Sequence, residues 1–499
     1  MSLVEDTHHF VLSTSQLILV GIILALTNFI VVLDITIANV SVPNIAGGLA
    51  VSPLEGTYVI TSYAVAEAIT VPLTGWLALR FGTVRVFILG LLAFGICSAL
   101  CAMAHSLDFL IVSRVLQGLA GGPLMPLSQT LLLRIFPKDK QAAAIGLWGM
   151  TTLLAPIMGP IVGGYICDNY GWPFIFYINL PITLFCGFTA IAMLRPFETR
   201  LQKHKIDIVG LVLLVIWVAA LQIMLDEGKH FDWFASNFIT TLLIVAVIGF
   251  VTFIIWELGE EQPIVNIRVF RHKGFTISVI TLSLTFGAYF GSVVLTPLWL
   301  QSYMGYTATW SGLTVGMVGV LAVLVAPISA KLSMQVDPRR LVFFGVLWMA
   351  IWTYIRSFYT TDMTFEDLAF PILIQGIGTP FFFLPLSGLC LASVNADETA
   401  SAAGLMNFLR TLSGAFATSL FVTSWENDAK TYRAELVNVM NPEDTSIAPA
   451  ILEHLVDMQS YTLSTNHLFV VCTFLMVFAA LIIWIAPKPN RAVDLTQSH

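Results

Sequence analysis

Residues 17–42 read LILVGIILALTNFIVVLDITIANVSV and contain a single charged side chain, that of Asp34. About 20 mainly apolar residues form a helix long enough to cross the hydrocarbon core of a bilayer, which is roughly 30 Å thick. Lipid offers the backbone no hydrogen-bond partners, so this stretch is predicted to span the membrane as a helix. The polar residues 1–16 lack the basic start of a cleaved signal peptide, which predicts that the span is retained.

The composition extends this prediction to the whole chain. Of its 499 residues, 57% are hydrophobic and 11% are charged, whereas soluble proteins carry roughly 25% charged residues. The scarcity of charge excludes a soluble globular protein, a disordered chain and a nucleic-acid binder. The six cysteines follow neither a disulfide framework nor a zinc-ligand spacing, so no metal site is expected. We therefore predict an all-α integral membrane protein.

Fourteen apolar runs are long enough to be spans. They cover residues 17–42, 57–79, 84–104, 107–134, 141–166, 173–194, 206–225, 236–257, 274–300, 308–333, 340–359, 366–393, 399–424 and 466–487. An even number places both termini on one side, and the loops of that side carry 17 Lys and Arg residues against 3 on the other. Positive residues collect in cytoplasmic loops, so both termini are predicted to be cytoplasmic and the protein multi-pass in a bacterial inner membrane.

The segment 425–465 is the one long loop on the outer side, and it is rich in Asp and Glu. Ile451, Leu455 and Met458 recur there at helical spacing. This pattern predicts one or two short amphipathic helices lying on the outer membrane face. Such helices could dock a partner protein or could simply cap the outer gate.

The chain also resembles itself. Pro72-Leu-Thr-Gly75, followed by Arg85, is echoed by Pro327-Ile-Ser-Ala330, followed by Arg340, and Gln117-Gly118 is echoed by Gln375-Gly376. The repeat predicts two six-helix halves, residues 17–194 and 266–487. Residues 195–265 then form a linker with two inserted transmembrane helices, and residues 1–16 and 488–499 are cytoplasmic ends.

Five motifs resemble those of a known family. They are Leu33-Asp34-Ile-Thr-Ile-Ala-Asn-Val-Ser-Val-Pro43, Gly75-Trp-Leu-Ala-Leu-Arg80-Phe-Gly82-Thr-Val-Arg85, Arg114-Val-Leu-Gln117-Gly118, Gly159-Pro160-Ile-Val-Gly163-Gly164 and Phe176-Tyr-Ile-Asn-Leu-Pro181. Together they resemble the fourteen-span drug–proton antiporters of the major facilitator superfamily over nearly the whole chain. The resemblance implies the major facilitator fold, with the substrate bound between two parallel halves near the membrane midplane.

One position departs from the family pattern. Leu79 stands where the family loop usually has an Asp before its first Arg, which puts in doubt the charge cluster that latches the halves. Gly75, Arg80, Gly82 and Arg85 are otherwise expected to take part in the conformational change. For the two arginines, a role only in setting the topology is equally open.

Asp34, Arg114 and Glu67 are the candidate proton-coupling residues. A carboxylate in the middle of a span is costly unless it is neutral or paired. Burial favours its neutral form and a nearby arginine favours its charged form, so it can load and release a proton as its surroundings change. The resemblance places Arg114 in the same half as Asp34. A static ion pair for Asp34 and a hydrogen-bonded interface role for Glu67 are the alternatives.

The remaining candidates are structural or substrate-binding. Gly159, Pro160, Gly163 and Gly164 form the motif that the resemblance identifies with antiport, or else serve plain glycine-mediated helix packing. Arg410 is interpreted as the only clearly mid-span charge of the second half, with a gating or anchoring role. Polarisable or polar side chains could line a drug cavity; these are Trp148, Gln117, Tyr63, Tyr289, Phe286, Asn407 and Met406.

The sequence thus predicts a proton-driven exporter of apolar or amphipathic drugs that needs no cofactor beyond the proton gradient. The resemblance also implies two partners of a tripartite pump, an EmrA-like periplasmic adaptor and a TolC-like outer-membrane channel. A dedicated metabolite exporter or a symporter on the same fold is the alternative. A membrane enzyme is disfavoured because the histidines are scattered near span ends and loops.

Overall fold

The computed structural model describes residues 13–199, 201, 206–395, 398–439 and 449–488, and the regular elements in these ranges are all helical. Much of the predicted ends 1–16 and 488–499, together with Arg200, Lys203 and Lys205, lies outside the described residues. We call the side where the first helix begins the proximal side, and the opposite side the distal side.

Six helical rods form the N-terminal half, and three of them are broken. They are α1 (Thr14–Leu49), α2 (Pro53–Gly56, Tyr58–Thr70 and Thr74–Phe81), α3 (Thr83–Ala102), α4 (Leu107–Gly121 and Leu124–Ile135), α5 (Lys138–Asn169) and α6 (Phe174–Tyr177 and Asn179–Met193). α1 begins with a capping box at Ser13, whose side chain accepts from the Gln16 backbone N–H. Such caps satisfy backbone donors that have no partner within the helix.

Two further rods and a second set of six follow. The inserted pair is α7 (Ile208–Glu227) and α8 (Asn237–Gly259). The C-terminal half comprises α9 (Lys273–Ser302), α10 (Ala308–Gln335), α11 (Pro338–Arg356), α12 (Phe365–Gln375 and Gly378–Ala392), α13 (Thr399–Val439) and α14 (Pro449–Ile482).

Each predicted span has a helix, but fewer meet the length and hydropathy requirements of a span. Among the described residues, 11 helices do so, and 12 if the bent pair in α2, with its 57° angle, counts as one. The predicted runs 141–166 and 340–359 fall on α5 and α11, which are not in that set. The multi-pass, all-helical class is confirmed, and fourteen spans stays a prediction.

The prediction for segment 425–465 is wrong in its described part. α13 runs on to Val439 and α14 starts at Pro449, so two spans project as an antiparallel hairpin instead of ending in short helices that lie on the membrane. Tyr303 and Tyr461 stack with ring centroids 3.8 Å apart at its base. Arg433 Nε lies 2.7 Å from an Asp457 carboxylate oxygen farther out. Tyr303, at the end of α9, thus packs on α14, and the Arg433–Asp457 ion pair joins α13 to α14. Residues 440–448 lie outside the described residues.

Candidate transport site

The Asp34 carboxylate lies at the centre of a fully buried polar cluster in the N-terminal half. Arg114 pairs with its Oδ2 through Nη1, while Gln117 Nε2 and Asn179 Nδ2 donate to its Oδ1 at 3.0 and 2.6 Å. α1, α4 and α6 thus bring together three predicted residues. Asn179 was missed, although it belongs to the Phe176–Pro181 motif, because an uncharged polar residue in a span is common.

The Arg114 guanidinium is satisfied by further contacts. Its Nε donates to the Val59 carbonyl at 3.0 Å and its Nη1 to Gln117 Oε1 at 2.8 Å. The Tyr63 ring lies 4.2 Å from the guanidinium carbon. Since one acid balances one base, the cluster carries no net charge when both are ionised. Removing either partner would leave an unpaired buried charge.

Glu67 lies on α2, where this helix meets α13 of the other half. Its Oε2 is buried without a hydrogen-bond partner among the described residues, as is the Tyr63 hydroxyl. The strongest attractive charge on Glu67 is that of Arg410, followed by that of Arg114. The Arg410 guanidinium carbon lies 5.7 Å from the centre of the Phe286 ring. Glu67 is therefore a carboxylate between the halves with unused hydrogen-bonding capacity.

The glycines of the predicted antiporter motif let α5 contact α1 closely. A Cβ atom added to Gly159 would stand 2.1 Å from Thr36 Oγ1, and one added to Gly163 would stand 2.7 Å from Ile37 Cγ1. Real Cβ atoms do not approach so closely, so any larger residue would push the two helices apart. This packing lies within the N-terminal half.

The helix α5 also contacts the C-terminal half, at α10. A Cβ atom at Gly164 would stand 2.2 Å from the Ala308 carbonyl oxygen, and one at Gly312 would stand 2.0 Å from the Pro160 carbonyl oxygen. Asp168, which sequence reasoning did not single out, accepts from the Thr309 backbone N–H at 2.7 Å. The two halves are therefore closed against each other on the distal side.

A second contact completes the distal closure. Gln301 of α9 donates to the Val40 carbonyl of α1 at 2.8 Å. On the proximal side, by contrast, a cavity of about 510 Å³ lies between α2 and α4 of one half, α13 of the other and the linker. Gly75 and Asn407 line it. The molecule is thus open on the proximal side, although no residue of the Asp34 cluster lines this cavity.

The other predicted substrate-binding residues lie outside this cavity. Trp148 donates from Nε1 to Ser128 Oγ at 2.9 Å, and Met406 belongs to the apolar core of the C-terminal half. Phe286 stacks on Phe290 with ring centroids 5.6 Å apart. Tyr289 lines a small separate cavity. Their roles in substrate binding stay predictions.

The proximal loop between α2 and α3 is capped from within its own half. Gly82 adopts a φ of +96°, which favours glycine. Glu198, beyond α6, accepts from the backbone N–H groups of Val84 and Arg85, both at 3.0 Å. Glu198 thus supplies a carboxylate to a loop in which Leu79 replaces the expected Asp, and these bonds join no residue of the C-terminal half.

Asp226, which sequence reasoning also missed, joins three helices at the distal end of the inserted pair. Its carboxylate accepts from Thr61 Oγ1 of α2 at 3.0 Å, from Gln222 Nε2 of α7 at 2.9 Å and from the Ser419 hydroxyl of α13. The Tyr58 hydroxyl donates to its backbone carbonyl at 3.0 Å. The inserted helix α7 therefore bridges the two halves.

Arg356 is a further buried cation of the C-terminal half, which sequence reasoning did not single out, and the mid-span role of Arg410 stays a prediction. Arg356 closes α11 with 3% of its surface exposed. Its Nη2 donates to Thr296 Oγ1 at 2.6 Å and its Nη1 to Gln375 Oε1 at 3.3 Å. The Phe469 ring lies 4.1 Å from the guanidinium carbon.

The described residues contain no group of three or more His, Cys, Asp or Glu side chains that could hold a metal ion. The geometry is instead that of a transporter with two helical halves, a closed distal side and an open proximal cavity. A buried ion pair and a partly satisfied carboxylate lie beside the interface between the halves.

The comparisons agree with this geometry. Residues 24–418 match the model of the Major Facilitator Superfamily. The chain is 45% identical over 432 residues to the multidrug export protein EmrB of Escherichia coli K12, covering 86% of this chain and 84% of that protein. It is 42% identical over 491 residues to EmrB of Haemophilus influenzae, and the match covers 95% of this chain and 96% of that protein.

A further relative and two solved structures are also similar to this chain. The fatty acid resistance protein FarB of Neisseria gonorrhoeae is 39% identical over 482 residues, covering 93% of this chain and 95% of that protein. A bacterial homolog of the human lysosomal transporter Spinster shares the fold with a TM-score of 0.63 and 15% identity, covering 96% and 100%. A peptide transporter POT shares the fold with a TM-score of 0.66 and 14% identity, and the match covers 94% of this chain and 96% of that one. The chain therefore belongs to the Major Facilitator Superfamily and is an EmrB-like multidrug transporter, not an enzyme.

Proposed function

We propose that this transporter exports apolar and amphipathic drugs in exchange for protons by alternating access. The observation that carries the proposal is the buried cluster of Asp34, Arg114, Gln117 and Asn179 in a molecule open on one side only. The excess of Lys and Arg in the proximal loops supports the proximal side as the cytoplasmic one. The open cavity would then load drug from the cytoplasm or inner leaflet.

The cluster suggests how a proton could be coupled to the conformational change. A proton on Asp34 would remove the negative charge that balances Arg114 and would turn one acceptor oxygen into a donor. The two amides and the guanidinium, which all donate to Asp34, would have to rearrange. Because α4 carries Arg114 and Gln117 against Val59 of α2, this change would reach the helix that meets α13. Protonation would thereby bias the packing between the halves.

Transport in proteoliposomes under an imposed pH gradient tests this proposal. We expect drug-dependent proton flux in the wild type and its loss in Asp34→Asn, which keeps the shape of the side chain. Asp108→Asn, on the first turn of α4, is the matched control and should transport normally. Coupled transport that persists unchanged in Asp34→Asn would remove Asp34 from the mechanism.

One relative widens the proposed substrate class, and two other kinds of transport are alternatives to drug–proton antiport. FarB is a fatty acid resistance protein, so we include amphipathic acids among the proposed substrates. A dedicated exporter of one metabolite would transport one such compound and no chemically unrelated drug. A symporter would move protons and substrate in the same direction. The same proteoliposomes separate these cases, because they report both the substrate range and the direction of proton movement.

The tripartite assembly is the last part of the proposal. The hairpin of α13 and α14 exposes the apolar side chains of Val437, Ile451 and Leu455 on the distal side. We propose that it docks an EmrA-like adaptor, which would pass drug to a TolC-like channel. The hairpin's length beyond the spans and its internal ion pairs support a rigid projection that could carry such a contact.

A further inference from the structure

The two halves carry matching polar clusters around a glutamine. In the N-terminal half, Cys101 Sγ lies 3.4 Å from Gln117 Oε1, and in the C-terminal half Arg356 Nη1 lies 3.3 Å from Gln375 Oε1. The internal repeat relates these pairs, since Arg356 follows Cys101 by 255 residues and Gln375 follows Gln117 by 258. The C-terminal half thus has an arginine where the N-terminal half has a neutral thiol.

The clusters differ in charge balance. Asp34 neutralises Arg114 in the first cluster. Within the described residues no carboxylate pairs with Arg356, and its hydrogen-bond partners Thr296 and Gln375 are both uncharged. A buried cation without a counter-charge is costly in a membrane protein. Phe469 and the hydroxyl of Thr296 compensate only in part, because both are uncharged.

The guanidinium also has an unused donor, and Arg356 lines a cavity. Its Nε is buried without a hydrogen-bond partner among the described residues. Arg356 lines a cavity between α9, α10, α11 and α12, together with Thr296, Gln375, Tyr289 and Ile372. The cavity volume is about 10 Å³, which is room for one water-sized group. Its walls are mostly apolar, and Arg356 is its only charged lining residue.

We propose that Arg356 forms a binding site for a monovalent anion, the carboxylate of an amphipathic substrate. A guanidinium holds a planar carboxylate through paired, charge-assisted hydrogen bonds. In the conformation seen here, the cavity admits one carboxylate oxygen. Val293 and Tyr289 of α9 line the same cavity, so the alkyl chain of a bound carboxylate would need the surrounding helices to separate. A free small anion such as chloride is the other source of the same chemistry. The substrate assignment rests on the proposed export function, whereas the anion site does not.

Binding to the purified transporter in lipid nanodiscs tests the site. The probes are dodecanoate, dodecanol and chloride, with gluconate replacing chloride at constant ionic strength. We expect wild type to bind dodecanoate at least about tenfold more tightly than dodecanol, the ratio that about 1.4 kcal/mol of charge-assisted bonding gives. Arg356→Gln should abolish this preference, and Arg356→Lys should retain part of it. Arg195→Gln, an exposed arginine of the proximal side, is the matched control.

The outcomes separate the two anion sources and the two proposals. Thermal unfolding in the same nanodiscs reports chloride binding. If chloride raises the unfolding temperature in an Arg356-dependent way and dodecanoate does not, the site is supported and is assigned to a free anion. Equal affinities for dodecanoate and dodecanol in wild type, with no chloride effect, would overturn the site. That measurement needs only wild type, so it decides the matter even if Arg356→Gln does not fold. If the wild type transports no drug in proteoliposomes, the proposed export function is refuted, whereas the binding result in nanodiscs can still be interpreted.

Discussion

At the scale of single residues, the buried charges differ in how completely they are compensated. Asp34 and Arg114 balance each other, Glu67 and Arg410 interact only at longer range, and Arg356 has no acidic partner in the described chain. The cost of charge in lipid, together with the family resemblance, predicted the first pair from the sequence. It could not reveal Asn179 or the isolation of Arg356, because both depend on which helices meet in space.

The partial compensation of Glu67 leads to a prediction about drug charge. In Glu67→Gln, the negative charge is lost while the size of the side chain is kept. We expect efflux of a cationic drug such as tetraphenylphosphonium to fall about tenfold, the equivalent of one lost interaction of about 1.4 kcal/mol. Efflux of a neutral drug should change less than about twofold. Parallel uptake assays in inverted vesicles measure both.

The control for this prediction is Glu366→Gln, an exposed glutamate on the first turn of α12. It should leave both drugs unaffected. An equal loss for cationic and neutral drugs in Glu67→Gln would contradict direct recognition of the cation and favour a role in packing or coupling.

At the scale of helices, the internal repeat and the small-residue motif could be read from the sequence, whereas the continuation of α13 and α14 beyond the predicted spans could not. The glycines at 159, 163 and 164 were predicted to pack closely, and they do, against two different helices. The hairpin of α13 and α14 could not be foreseen from hydropathy, because its distal part is polar and reads as a loop. Only contacts such as that between Tyr303 and Tyr461 reveal that the helices continue.

The contact between α5 and α10 predicts a selective effect of added bulk. In Gly164→Ala, the new methyl group would meet the Ala308 carbonyl oxygen, a backbone atom that cannot rotate away. We expect the distal closure to weaken, so that a cysteine introduced at Thr309 becomes several-fold more reactive to a membrane-impermeant thiol reagent. Gly388→Ala in α12, whose Cβ also meets nothing within 4 Å, should leave the reactivity unchanged. Equal labelling of both variants would contradict a closure through α5 and α10.

The bridge formed by α7 predicts that Asp226 supports the distal contact between the halves. In Asp226→Asn, the amide oxygen can still accept from Gln222 and Ser419, but Nδ2 replaces the oxygen that accepts from Thr61, and the charge that these donors solvate is lost. We expect a loss of about 1–3 kcal/mol of stability, the usual cost of an unsatisfied buried hydrogen-bonding group. Thermal unfolding in nanodiscs measures the change.

The matched control makes the same chemical change at an exposed site. Asp232 adopts a φ of +52°, a conformation that Asn also tolerates, so Asp232→Asn should unfold like wild type. If both variants unfold alike, α7 does not brace the distal contact.

At the scale of the whole molecule, the sequence predicted the class and left the conformation open. Composition, hydropathy and the charge bias of the loops determine an all-α membrane protein built of repeated halves. They carry no information on which side is closed. That depends on close backbone contacts between α5 and α10 and on the empty volume beside Asn407.

The distal hairpin yields a prediction about assembly. Replacing Val437, Ile451 and Leu455 by Ser removes exposed apolar surface without disturbing the buried base of the hairpin. If an adaptor docks there, its co-purification with the triple variant should fall at least about fivefold, while transport by the transporter alone in proteoliposomes is kept. Phe474→Ser and Phe478→Ser, exposed residues of α14 within the span, are the control for loss of apolar surface. Undiminished co-purification would exclude this face of the hairpin as the docking surface.

The glycine-lined contact on the distal side has a thermodynamic consequence. Closing a gate with long side chains immobilises them, and each can cost up to about 1.5–2 kcal/mol of rotamer entropy. Gly164 and Gly312 have no rotamers to lose, so this part of the gate closes at little entropic cost. The open and closed forms can then lie within a few kcal/mol of each other. In the proposed mechanism, a proton on Asp34 would then need to favour one form over the other by only a few kcal/mol to shift that population.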